Sequence, residues 1–166
     1  MSLLDIAYTR ERVPQDRVEA QALIRAVHVQ EFGIDLTIPD WFDDNSIYVI
    51  GRHQGAVVSA ARIIFPDAAG HLPIDYFLEI PPKLPAGAVA CELGRLSVRK
   101  DCRGRYLPHP GVRVICQVLR EQHVTHVFFD SPLQAEPLYR AFGFERICDA
   151  PFYSDPSPNS RLGALP

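Results

Sequence analysis

Glu92-Leu-Gly-Arg-Leu-Ser-Val98, followed by Arg99-Lys-Asp-Cys-Arg-Gly-Arg105, holds most of what this chain says about its architecture. Val89–Val98 reads as a long strand, and the basic, proline-broken segment 99–110 reads as a loop. Gly111–Gln122 then places apolar residues at 112, 115, 118 and 119, the spacing of one helix face. Thr125–Asp130 follows as a strand of buried type. In such a strand–loop–helix unit the helix start presents free N–H groups and a positive dipole end to an anion. Arg103 and Arg105 add charge to that anion site. Glu92 and Arg95 lie three residues apart, which puts them on opposite faces of a regular strand. Gly94 between them is a natural place for a β-bulge that would turn both to one face and splay the strand. A splayed edge can hydrogen-bond an extended ligand.

Upstream, residues 3–9 read as a short strand. Val18, Ala22, Ile24 and Val27, with Leu23 beside them, give helical spacing after the start signal Pro14-Gln15-Asp16. Residues 32–45 form a polar loop. Ile47–Ile50 and Ala56–Phe65 flank Arg52-His53-Gln54-Gly55, an antiparallel hairpin with a glycine at its turn. A proline-rich excursion, 66–87, leads to the third long strand. Downstream, Pro132–Phe142 reads as a short helix capped by Gly143, and Phe144–Cys148 with the tail as closing strands. Without a repeat or a linker, residues 1–166 are expected to form a single α/β domain with a mixed sheet.

Composition excludes several classes. Seventeen basic against 20 acidic residues give a net charge of −3, with no basic stripe, so the sequence offers nucleic acid no electrostatic footprint. No run reaches the roughly 18 apolar residues of a membrane span, and the start lacks the pattern of a signal peptide. Cys91, Cys102, Cys116 and Cys148 show no metal-ligand spacing, so no metal site is expected and reduced thiols in a cytoplasmic protein are. The histidines pair with no serine or cysteine in a nucleophile pattern. Fifteen prolines, about 9% against a usual ~5%, point to short elements and ordered loops.

Two segments resemble the GNAT (Gcn5-related N-acetyltransferase) superfamily. Glu92–Val98 with Arg99–Arg105 is similar to that family's central strand and pyrophosphate loop, and Pro137-Leu-Tyr-Arg-Ala-Phe-Gly-Phe-Glu145 to its late helix-to-strand motif. The resemblance implies an α/β (α+β) fold: a mixed, mostly antiparallel sheet with a splayed central strand, flanked by helices. It implies acyl transfer from acetyl-CoA or another acyl-CoA to a primary amine, with Glu92 as base and Tyr139 as proton donor to the leaving thiolate. Leu96, Ser97, Val98, Arg103, Gly104, Arg105 and Gly111 would then hold the donor. Tyr106 and Pro108 stand where the family's loop carries small residues, and Pro108 removes an N–H donor, which implies a weaker grip on coenzyme A.

The front half adds a second likeness. Arg25, Asp40, Asp43, Arg62, Glu92 and Arg95 follow the order of charged residues in autoinducer synthases and related N-acyl amino acid synthases, which take acyl groups from acyl carrier protein. Val29 and Ile34 replace the aromatic residues those synthases place after the first arginine. On this likeness Arg25, Asp40, Asp43, Arg62 and Arg95 bind the acceptor, and acyl carrier protein is the alternative donor carrier and partner. A catalytically silent ligand-binding module is a further reading, and a homodimer stays open.

Overall fold

The computed structural model describes residues 4–76, 83–105, 109–131 and 136–147. Strands β1 (Ala7–Arg10), β2 (Ser46–His53), β3 (Ala56–Ile64), β4 (Ala90–Val98) and β5 (His126–Phe128) form one sheet in the order β1-β2-β3-β4-β5. The first three pairings are antiparallel, and β4–β5 is parallel. Helices α1 (Pro14–Ile24), α2 (His109–Glu121) and α3 (Glu136–Ala141) complete the set. The splayed, mostly antiparallel sheet with flanking helices is as the sequence implied.

The alternation of the strands divides the core between the two faces. Tyr48, Ile50 and Ala60 face α1, where they pack with Ala20, Leu23, Ile24 and Val27. Val49, Ile63 and Cys91 face α2 and meet Val118, Val114, Ile115 and Leu119. Burying one such aliphatic side chain stabilises the fold by roughly 1.5–3 kcal/mol. The buried face of α1 runs through residues 20, 23, 24 and 27, whereas Val18 is 56% exposed. Small Ala20 marks the true face because it lets the helix sit close to the sheet.

The β2–β3 turn is Gln54-Gly55, both with positive φ, as expected from Gly55. Beyond Ile24 the chain continues as a π-helical turn, Arg25–Glu31, in which the Phe32 N–H reaches back to the Val27 carbonyl. Such wide turns recur at functional sites. Some boundaries differ from the sequence reading. The first strand begins at Ala7, because Leu4 bonds instead to the Arg105 carbonyl. β5 is limited to His126–Phe128, and Phe144–Ile147 are not a strand. The remainder of the expected closing strands, with Cys148, lies outside the described residues, as do 132–135 of the last helix. Cys91, Cys102 and Cys116 are free thiols.

Two features of β4 open the sheet. Ala60 pairs Ser97 and Arg62 pairs Gly94, so two steps along β3 face three along β4. The extra residue is the bulge expected near Gly94, with the left-handed conformation taken by Arg95 (φ 57°). On its other side β4 pairs β5 only through Ala90, Cys91 and Glu92. From Leu93 to Val98 that edge has no strand partner among the described residues.

Candidate active site

Glu92 stands where β4 and β5 part. It is 7% exposed, and its Oε2 accepts the Ile74 N–H at 2.7 Å. The other oxygen, Oε1, receives no hydrogen bond from the described residues. Burial pushes the carboxyl up to about 7, against the pull of the Ile74 N–H and of the Arg62 and Arg95 charges. Asp130, just past β5, adds to the upward push. A carboxyl that titrates near neutrality can hold or accept a proton under ordinary conditions.

Next to Glu92 lies a buried ionic network that joins four of the residues read from the sequence. Arg62, 3% exposed on β3, forks onto Asp40 with Nη1–Oδ1 at 2.9 Å and Nη2–Oδ2 at 2.8 Å. Its Nη1 also reaches Asp43 Oδ2 at 3.2 Å. Arg95 Nη2 touches Asp40 Oδ2 at 3.4 Å, so the bulge has brought Arg95 to the side of the sheet that carries Arg62. Burial raises the Asp40 carboxyl, but Arg62 and Arg95 outweigh it and hold the group below its ordinary range. Asp43 Oδ1 accepts from Gln21 Nε2 at 2.9 Å and from the Tyr48 hydroxyl. Burial and that bond to Asp43 push the Tyr48 phenol up to about 12, so it stays protonated. Arg17, paired with Glu11, caps the Asp43 carbonyl at 2.9 Å.

Asp40 and Asp43 are therefore saturated by protein donors. Arg25 is apart from this network: it is exposed and donates to the Ile38 carbonyl. Sequence reasoning missed Tyr48 and Gln21. Tyr48 shares parity with Ile50 along β2, a polar atom in an apolar strand that needs a partner on the face it shares with Arg62. It also missed His28, in the π-helical turn. Burial and the Arg95 charge push His28 down to about 4 despite a hydrogen bond with the Leu96 backbone. Its ring is neutral at physiological pH, and its buried Nε2 has no partner among the described residues.

The residues that the resemblance assigns to the donor run from the end of β4 to the start of α2. Leu96 is exposed, Ser97 is buried with its hydroxyl on the Arg95 carbonyl at 3.1 Å, and Val98 is half-buried. Arg103 is engaged: its two terminal nitrogens bind the Glu31 carboxylate at 2.6 and 2.7 Å, and its Nε donates to the Val98 carbonyl at 2.9 Å. Gly104 has φ 69°, and the buried Nε of Arg105 has no partner among the described residues. Tyr106 and Pro108 lie outside the described residues. Gly111 sits in the first turn of α2, where a Cβ would come within 2.8 Å of the Tyr8 ring. Its lack of a side chain thus lets the helix start dock on β1. Tyr139, on α3, packs at a tilt against Phe129 with ring centroids 4.3 Å apart, just past the C-terminal end of β5. Among the described residues no His/Cys/Asp/Glu group could hold a metal ion, and no helix is long and apolar enough to cross a membrane.

A mixed sheet between helices, opened at a bulged strand beside a buried glutamate, is the GNAT acyltransferase architecture. The model of the N-acyl amino acid synthase FeeM family matches residues 7–161, and the chain belongs to that family; it is an enzyme of the acyltransferase class. No curated protein matches the sequence. Solved structures agree on the fold. The N-acyl amino acid synthase FeeM from uncultured soil microbes aligns with a TM-score of 0.66 at 16% identity, over 85% of this chain and 79% of that one. A GCN5-related N-acetyltransferase from Ralstonia eutropha gives 0.60 at 14%, over 88% and 96%. A predicted acetyltransferase from Clostridium acetobutylicum, solved with acetyl-CoA, gives 0.59 at 12%, over 88% and 94%.

Proposed function

We propose that this enzyme moves an acyl group from a thioester on a phosphopantetheine arm to the amino group of a small amine, with free amino acids the favoured acceptor class. The observation that carries the reading is Glu92, a buried carboxyl near neutrality, with one oxygen that no described residue bonds, where β4 leaves β5. The family match to N-acyl amino acid synthases supports the acceptor class. Acetyl-CoA and longer acyl-CoAs are the first donors to test, and acyl carrier protein is the alternative carrier.

In this reading the pantetheine arm lies along the unpartnered edge of β4, bonded to its backbone as an added strand. The ammonium of the acceptor gives a proton to Glu92, directly or through a water. The neutral nitrogen attacks the thioester carbonyl, the C–N bond forms, and the C–S bond breaks as the intermediate collapses. Tyr139 gives its proton to the departing thiolate and is restored by the surplus proton that the attacked nitrogen sheds on becoming the amide, so amide, free thiol and the proton on Glu92 account for every atom. Arg95, part-exposed and held by Asp40 only at 3.4 Å, is the cation for an acceptor carboxylate. Arg62, Asp40 and Asp43 fix the wall behind it, because their charges are already matched.

Kinetics of Glu92→Gln test the assignment. Turnover at saturating substrate should fall on the order of 10²-fold or more, with donor affinity nearly unchanged. Wild-type turnover should rise with pH through about 7, as the base loses its proton. A variant with unchanged turnover and the same pH profile would remove Glu92 from the chemistry.

A further inference from the structure

Arg103, the arginine assigned above to the donor's phosphate, already holds an anion. Glu31 meets it end-on with both carboxylate oxygens, at 2.6 and 2.7 Å. Three of the five guanidinium N–H groups are thus committed, counting the Nε bond to the Val98 carbonyl. Both partners are anchored. The guanidinium lies 5.5 Å from the centroid of the Phe32 ring, and Glu31 ends the π-helical turn that runs on from α1. The pair is nevertheless part-exposed, 33% for Arg103 and 26% for Glu31, so an anion from solution can reach it.

The geometry points to Glu31 as a residue that sets affinity and selectivity for the donor: its carboxylate takes the end of Arg103 that a donor phosphate would take. The inference rests on the reading that Arg103 belongs to the donor site. A phosphate must either displace Glu31 or bind the remaining N–H groups beside its negative charge. Both routes weaken binding, and both penalise a donor more as its charge grows. Coenzyme A, with its diphosphate and additional phosphate, is opposed more than a phosphopantetheine arm carrying one phosphate. An uncharged pantetheine is not opposed. The side chain therefore biases the loop toward carriers that present a single phosphate.

Calorimetric titration of the full chain with coenzyme A, phosphopantetheine and pantetheine tests this, using wild type, Glu31→Gln, Arg103→Ala and the double variant. Glu31→Gln should tighten coenzyme A binding about three- to tenfold at low ionic strength, phosphopantetheine less, and pantetheine not at all. The gain should shrink at high salt and vanish in the Arg103→Ala background. Loss of a part-exposed ion pair should move Tm by only a few degrees, which verifies that the variants are folded. Arg103→Ala that weakens coenzyme A binding beside Glu31→Gln that fails to tighten it would overturn the role of Glu31 and leave the donor loop standing. Arg103→Ala with unchanged binding would overturn both. An equal gain for pantetheine would also overturn the inference, because the effect would not be electrostatic.

Discussion

Glu92→Gln removes a charge and keeps the shape of the side chain, including an oxygen for the Ile74 N–H. Its effect on stability follows from the carboxyl's rise from 4.5 to about 7 on burial. The folded state then binds the proton more tightly than the unfolded state, so between those values stability falls as pH rises. Every tenfold gain in proton affinity is worth about 1.36 kcal/mol, giving a cost near 3 kcal/mol once pH exceeds about 7. The Gln variant never incurs that cost. A chain of this size changes its Tm by about 2–4 °C per kcal/mol, so the Tm advantage of the variant should grow by several degrees between about pH 5 and pH 8.5. Scanning calorimetry of both proteins across that range measures it. An advantage that does not change with pH would show that the folded environment leaves Glu92 ordinary, and the argument for a poised base would fail.

Other perturbations probe the surroundings. Arg62→Ala leaves Asp40 and Asp43 facing each other in a buried site and should cost about 3–5 kcal/mol, read from denaturant midpoints. Tyr139→Phe keeps the packing against Phe129 and should lower turnover on the order of 10²-fold with Tm within a few degrees; full activity would make the tyrosine packing alone. Gly111→Ala places a methyl 2.8 Å from the Tyr8 ring and should destabilise by about 1–3 kcal/mol, again in denaturant melts, as α2 is forced away from β1.

The centre of the sheet was legible because β2, β3 and β4 are long and mostly apolar and the Gln54-Gly55 turn takes positive φ at both residues. The bulge was legible from Glu92, Gly94 and Arg95, although the strained residue is Arg95 rather than the glycine. Proximity was harder to read. Asp40 and Asp43 were read as acceptor-binding acids, yet they are bound by Arg62, Tyr48 and Gln21 from three separate elements. Nothing local in the sequence announces such partners. Arg103 looked like a free cation for the same reason, since Glu31 lies 72 residues away. The face of α1 was misjudged because Val18 outranks Ala20 in hydrophobicity, while close packing on the sheet favours the smaller side chain.

Product analysis tests the central claim most directly. Purified protein is incubated with acetyl-CoA, longer acyl-CoAs or acyl carrier protein thioesters and a panel of free amino acids, with thiol release followed beside mass spectrometry. The account predicts an N-acylated amino acid formed in equal amount to the released thiol with at least one donor, and loss of both signals in Glu92→Gln. Thiol release without an acylated amine, or neither signal from any donor and acceptor pair, would contradict it.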